Sequence, residues 1–184
     1  GGIFCGEDSD LIIKQNEFSG NSATSFGGGL FIGESSPHLT GNTIESNSSQ
    51  TGGGIFVWES SPTISDNTIN SNTTTMSGSG GGIYVRSNSH PTINNNIISL
   101  NTTNRDGGGL YVDGSSSVKT TNGSTWPRQN TPPNTEATNT YFGNTHGTPL
   151  AYTEGADVYM VGAITPPQII EPPVEFMGEL IALT

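Results

Sequence analysis

Six aromatic residues recur at one place in a repeated phrase: Phe4, Phe31, Phe56, Tyr84, Tyr111 and Tyr159. Trp58, Arg86 and Asp113 each follow one of them by two residues. Aromatic rings aligned on one face, with a Trp and an Arg beside them, have the chemistry of a binding surface. Sugar rings can stack there, or another chain can cover it. The same alignment also steadies a parallel sheet with no ligand, although exposed apolar ladders are costly unless something covers them. Glu7, Glu34 and Glu59 form a second row of carboxylates one repeat apart. Such a row repels itself unless a cation or a proton relieves it, so with Asp8 and Asp10 it is the one candidate for Ca²⁺. The row stops at Ser87 and no acidic nonapeptide repeat accompanies it, so the expectation is a solvated acidic corner and no cofactor. His38, His90 and His146 fall at different points of the repeat and have no metal-ligand spacing.

The elements that must position these residues are set by a Gly-rich phrase. Gly27-Gly28-Gly29-Leu30-Phe31-Ile32, Gly52-Gly53-Gly54-Ile55-Phe56-Val57, Gly80-Gly81-Gly82-Ile83-Tyr84-Val85 and Gly107-Gly108-Gly109-Leu110-Tyr111-Val112 follow one another at steps of 25, 28 and 27 residues. Gly1-Gly2-Ile3-Phe4-Cys5 is the same phrase with its start cut off, which suggests a piece of a longer protein. Gly155-Ala156-Asp157-Val158-Tyr159-Met160 is a worn copy. A period of this length signals a solenoid. Alternation makes the phrase a strand, with Ile3, Leu30, Ile55, Ile83, Leu110 and Val158 inward, and Cys5, Ile32, Val57, Val85, Val112 and Met160 inward two places on. Cys5 therefore belongs to an aliphatic ladder and is expected to be a buried filler. A second segment starts at Pro37, Pro62 and Pro91 and points Ile13, Leu39, Ile64 and Ile93 inward. A third carries two Asn columns, Asn16, Asn42, Asn67, Asn96 and Asn139, then Asn21, Asn47, Asn72, Asn101 and Asn144. Three strands per coil are expected.

Ser61-Pro62-Thr63-Ile64, Asn67-Thr68-Ile69 and Gly80-Gly81-Gly82-Ile83-Tyr84-Val85, with their counterparts in the other coils in that order, resemble the right-handed parallel β-helix of the pectate-lyase-like superfamily, in particular its secreted microbial repeat proteins with Ser-Pro-Thr-Ile, Asn-Asn-Thr-Ile and Gly-Gly-Gly-Ile-Tyr-Val coils. The resemblance covers residues 1 to about 115 well and 139–162 loosely. It implies an all-β right-handed parallel β-helix of about six coils of 25–29 residues over 1–164, with one loop insertion at about 115–138. Residues 165–184 are then a Pro-rich extended tail with a terminal apolar strand. In such a coil the Asn amides can hydrogen-bond from coil to coil, and the Gly triplets give the corner its positive φ. Lyases of the superfamily resemble one another in a basic residue beside a calcium-binding Asp cluster. Its hydrolases resemble one another in Asp residues around Gly-His-Gly with Arg-x-Lys. Arg86 stands here without either set, and a row of identical Glu residues offers nothing to split an acid from a base. No catalytic residue is assigned.

Composition narrows the partners. The formal charge is −11 with five Lys and Arg, which argues against nucleic acid and anionic lipid, and no apolar run is long enough to insert in a membrane. Few lysines and many Ser, Thr and Asn lean towards an extracellular or cell-surface setting. Asn47, Asn72, Asn101 and Asn122 open Asn-x-Ser/Thr acceptors, but the first three sit in a column expected to point inward, leaving Asn122. Trp126 in the insertion is a further binding candidate, since insertions map to one working face. The tail residues Val174, Phe176, Leu180, Ile181 and Leu183 are too apolar to leave in water and suit a strand laid along an open coil edge. The expected function is a non-catalytic structural or adhesive β-helix that self-associates. A polysaccharide-binding module using the aromatic face comes second, and a lyase or hydrolase third.

Overall fold

Segments of three or four residues with an apolar side chain at alternate places bury one row and turn the other outward. The computed structural model of the chain describes residues 1–119 and, beyond them, the strands Thr125–Trp126, Thr140–Phe142, Thr145–His146 and Val158–Met160. It is an all-β parallel solenoid of about four turns. The six coils expected above count phrases, and the described residues complete fewer. The tail from 165 and most of the insertion lie outside the described residues, as do Val174, Phe176, Leu180, Ile181, Leu183, Asn122, Asn139 and Asn144.

The first sheet runs in the order Ile3–Gly6, Leu30–Gly33, Ile55–Trp58, Ile83–Arg86, Leu110–Val112, Val158–Met160. Its register aligns the inward residues as expected, Ile3 through Leu30, Ile55, Ile83 and Leu110 to Val158. The second sheet stacks Ile12–Lys14, His38–Thr40, Thr63–Ser65, Thr92–Asn94 and Val118–Lys119. Pro37, Pro62 and Pro91 each stand just before a strand of that sheet, where a missing N–H costs nothing in the ladder. The third stacks Glu17–Ser19, Thr43–Glu45, Thr68–Asn70, Ile97–Ser99 and Thr140–Phe142, with Tyr141 opposite Ile98.

One expectation needs correction. Coils carry a fourth strand, seen at Ser48–Ser49, Thr73–Thr74, Thr102–Thr103 and Thr145–His146. These strands are two residues long and carry Ser, Thr and one His, so they leave no apolar alternation to detect. Their inward hydroxyls are satisfied locally: Thr74 Oγ1 donates to Thr103 Oγ1 at 2.8 Å and Thr103 Oγ1 to Gly78 O at 2.6 Å. Ser116 and Val118 are buried and Lys119 pairs with Thr92, so regular coil structure is described to 119.

The core is a column of aliphatic side chains, among them Leu39, Ile44, Ile64, Ile69, Ile93 and Ile98, all closed to solvent. Cys5 is one of them, and burial pushes its thiol pKa up, which keeps it an inert filler. The Gly triplets give the corner its positive φ as expected, at the first of each: Gly27, Gly52, Gly80 and Gly107. The second and third of the triplets from Gly27, Gly52 and Gly80 lie against neighbouring coils where a side chain has no room.

Candidate functional site

The outward face of the first sheet carries the aromatic residues in register, Phe4 beside Phe31, Phe56, Tyr84 and Tyr111, and the backbone of Tyr159 pairs opposite Tyr111. Consecutive rings through Tyr111 stack nearly parallel, with centroids 5.1, 5.4, 5.3 and 4.6 Å apart and interplanar angles of 9, 16, 11 and 18°. Phe31, Phe56 and Tyr84 therefore have a ring on each face. A sugar ring binds through its C–H groups to an open aromatic face, and these three rings offer only edges. The column is also closed at its middle, where Phe56 is 2 % exposed. Phe26 packs on it at 4.6 Å and leans towards Phe31 at 6.5 Å. Phe26 was not legible as part of this face: it occupies the place before the Gly triplet held elsewhere by Thr51, Ser79 and Asp106, so repetition hides it. Phe4 lies at the other extreme, 74 % exposed. A shallow groove of about 280 Å³ lies beside it, lined among others by Ile3, Phe26 and Phe31.

The next outward row reads Gly6, Gly33, Trp58, Arg86, with Asp113 following Val112. The two glycines explain how the Phe rings lie. A Cβ on Gly6 would stand 2.5 Å from the Phe4 ring and one on Gly33 2.6 Å from the Phe31 ring, so both rings lean over bare backbone. Trp58 and Arg86 are half-buried neighbours, and Arg86 Nε donates to Ser87 Oγ at 3.3 Å. Burial raises the Tyr84 phenol pKa, with Arg86 pulling the other way and Asp113 adding to the rise. For Asp113, burial alone would raise the carboxyl pKa, but donors from Ser87, Ser116 and Ser115 outweigh it and hold it below the ordinary carboxylate range. Ser87 N–H donates to Oδ2 at 2.9 Å, and Ser115 N–H and Oγ–H to Oδ1 at 3.1 and 2.9 Å. Asp113 is thus a corner brace between two coils rather than a free acid.

A depressed folded-state pKa means that Asp113 stabilises the fold above the unfolded-state value, and this contribution is lost as pH falls through the folded-state value. Asp113→Asn is expected to flatten part of the stability loss between roughly pH 5 and pH 3, by less than about 1 kcal/mol because the group is half-exposed. Urea midpoints of both proteins across that range check it. Parallel pH curves would remove Asp113 from the acid response.

Glu7, Glu34 and Glu59 occupy one exposed corner at φ of 49, 52 and 47°. Among the described residues no three His, Cys, Asp or Glu side chains come together as a metal site. The side chains of Trp126 and Tyr159 lie outside the described residues.

The Asn columns point inward. Asn42, Asn47, Asn67, Asn72, Asn96 and Asn101 are buried, while on the first coil Asn16 is exposed and Asn21 half-buried. In each link the N–H and Nδ2–H of one Asn donate to the Oδ1 of the next, as from Asn42 to Asn67 at 2.9 Å for both. The second Nδ2 proton reaches back to the coil before, as from Asn67 to Leu39 O at 3.1 Å. Every amide atom of such an Asn has a partner, which is what burial demands. The acceptor motifs at Asn47, Asn72 and Asn101 are accordingly closed in the folded chain. A third ladder was missed in the sequence. Ser35 N–H donates to Ser60 Oγ, Ser60 N–H to Ser89 Oγ and Ser89 N–H to Ser116 Oγ, each at 3.1 Å. Its signal was a Ser two places before each Pro, at Ser35, Ser60 and Ser89.

A family model described as the right handed beta helix region matches residues 1–126. Neither a curated protein nor a solved structure matches the chain.

Proposed function

We propose, from the premise that the chain belongs to the right-handed β-helix family, that it is a non-catalytic structural solenoid of the cell surface or extracellular space that associates with copies of itself. The observation that carries this reading is how the outward chemistry is used. The aromatic rings are spent on one another from coil to coil, Asp113 is held by corner donors, and Phe56 is closed by Phe26. Side chains committed in this way add cohesion along the axis and leave little to grip or transform a small ligand. Among the described residues, open apolar side chains stand at Phe4, Leu11, Ile12 and Phe26 and, on later coils, at Met76, Ile97 and Leu100. Open apolar surface of this kind suits association.

Light scattering and electron microscopy over a concentration series test the reading, together with passage of the chain over immobilised polysaccharides. The expected result is concentration-dependent assemblies with no polysaccharide retention. A monomer at every concentration, retained on a polysaccharide and released by Tyr84→Ala, would replace the reading with a carbohydrate-binding module.

A further inference from the structure

Tyr84 and Tyr111 differ from the rest of the aromatic column in chemistry as well as in spacing. Their centroids are 4.6 Å apart, against 5.1, 5.4 and 5.3 Å for the three steps that involve Phe rings. The two rings are 18° from parallel, and their backbones stand opposite each other in the parallel register. Both side chains point outward and are half-buried. Burial raises the Tyr84 phenol pKa while the neighbouring Tyr111 hydroxyl lowers it, so the hydroxyl ends of the rings also lie together. A phenol, unlike the ring of Phe, gives up an electron and a proton to a peroxidase. The spin of the radical that remains is concentrated on the oxygen and on the carbons ortho and para to it. The pair therefore holds ortho carbons side by side before any oxidant arrives.

We infer that Tyr84 and Tyr111 are a site of oxidative cross-linking, joined ortho carbon to ortho carbon as dityrosine by a peroxidase that uses hydrogen peroxide. Each phenol loses one electron and one proton, and the peroxide that takes them up becomes two molecules of water. The two phenoxyl radicals pair their electrons in one new C–C bond. The hydrogen on each joined carbon then moves to its own oxygen, which restores both phenols. The product is lighter than the parent by two hydrogens. The link ties Ile83–Arg86 to Leu110–Val112 and closes the chain between them into a loop, which narrows the unfolded ensemble as a disulfide does. This chain has no disulfide of its own to do so, since Cys5 is its single cysteine. The rings need only tilt to meet, because the strands that carry them are already paired. The oxidant belongs to the extracellular setting proposed above, and self-association plays no part.

The test treats the full chain with a peroxidase and hydrogen peroxide over a dilution series, followed by dityrosine fluorescence and mass spectrometry of the digested monomer. The expected product is a monomer lighter by two hydrogens, with one peptide pair joined at Tyr84 and Tyr111. Its yield is expected not to fall on dilution, and the linked monomer to unfold at higher urea than the untreated chain. Tyr84→Phe and Tyr111→Phe are each expected to lose at least about tenfold of that yield, since coupling then needs an encounter rather than a held pair. Phe31 and Phe56 already hold the same place in earlier coils, so both variants keep the stack, and circular dichroism verifies the fold. Tyr159→Phe, opposite Tyr111 in the backbone register, is expected to cross-link like the parent. Links between chains alone, or a link from Tyr111 to Tyr159 in preference, would overturn the site. So would a yield that Tyr84→Phe leaves at the parent level. None of these outcomes depends on the scattering series above, which tests self-association by itself.

Discussion

Gly53→Ala is expected to destabilise the solenoid by at least about 3 kcal/mol, far more than the helix or strand propensity of Ala would suggest. The reason is space, not backbone freedom, since Gly53 is not among the residues with positive φ. A Cβ there would stand 2.5 Å from both Gly81 O and Thr73 O, and 2.7 Å from the Thr73 carbonyl carbon. These are backbone atoms, and each belongs to a segment already fixed. Gly81 N–H donates to Gly107 O at 3.1 Å, and Thr73 N–H to Asn47 O at 2.9 Å. Relief would require separating two coils whose spacing every sheet shares. Gly20→Ala separates the two possible causes. Its φ is +67° and nothing lies within 4 Å of its Cβ, so it carries the conformational penalty alone, about 1 kcal/mol. Urea midpoints of the two variants against the parent decide the matter. A Gly53 variant no weaker than the Gly20 variant would mean that the coils slide apart at little cost.

That contrast also marks how far the sequence could be read. Regular repetition exposed the inward ladders, the parallel register and both Asn columns, because stacking places like residue on like residue and a buried amide needs a partner at every level. The register from Ile3 to Val158 and the pairing of Tyr141 with Ile98 are both as the spacing implies. What stayed hidden depends on contacts between residues that do not repeat, or on residues too common here to stand out. Phe26 is a single departure from the repeat, yet it closes Phe56. The Ser ladder is built from one of the chain's commonest residue types. Gly6 and Gly33 look like filler beside Trp58 and Arg86, and only the lean of the Phe rings gives them a use. The candidate site was legible as a row of residues, but not as a stack whose faces are already occupied. Alternation indicates which way a ring points and leaves its tilt open.

Asn72→Ala is expected to be about as costly, at about 3–5 kcal/mol, through hydrogen bonds rather than volume. Asn72 is closed to solvent, and its Oδ1 accepts from Asn47 N–H at 3.0 Å and Asn47 Nδ2–H at 2.9 Å. Its Nδ2 donates to Ile44 O at 2.9 Å and Asn101 Oδ1 at 3.0 Å. Truncation removes all four bonds and leaves the Asn47 N–H buried without its acceptor, the expensive kind of loss. Asn47→Ala breaks one of the same four bonds and removes the amide that donates in it. The double variant is therefore expected to cost clearly less than the sum of the singles, as neighbours sharing bonds do. Asn72→Asp isolates the donor half. Its Oδ atoms can still accept from Asn47, but an ionised oxygen would face Ile44 O and Asn101 Oδ1, acceptor against acceptor. Burial and those oxygens raise the pKa of the introduced carboxyl above its unfolded value, so the variant is expected to regain stability as pH falls through the raised value, when a proton restores one donor. The parent, whose ladder does not titrate, provides the baseline. Denaturant midpoints at descending pH would show the Asn72→Asp variant closing on the parent. A gap that stays constant, or widens, would mean that the ladder tolerates an acceptor where it now has a donor, and that its amides contribute packing rather than polarity.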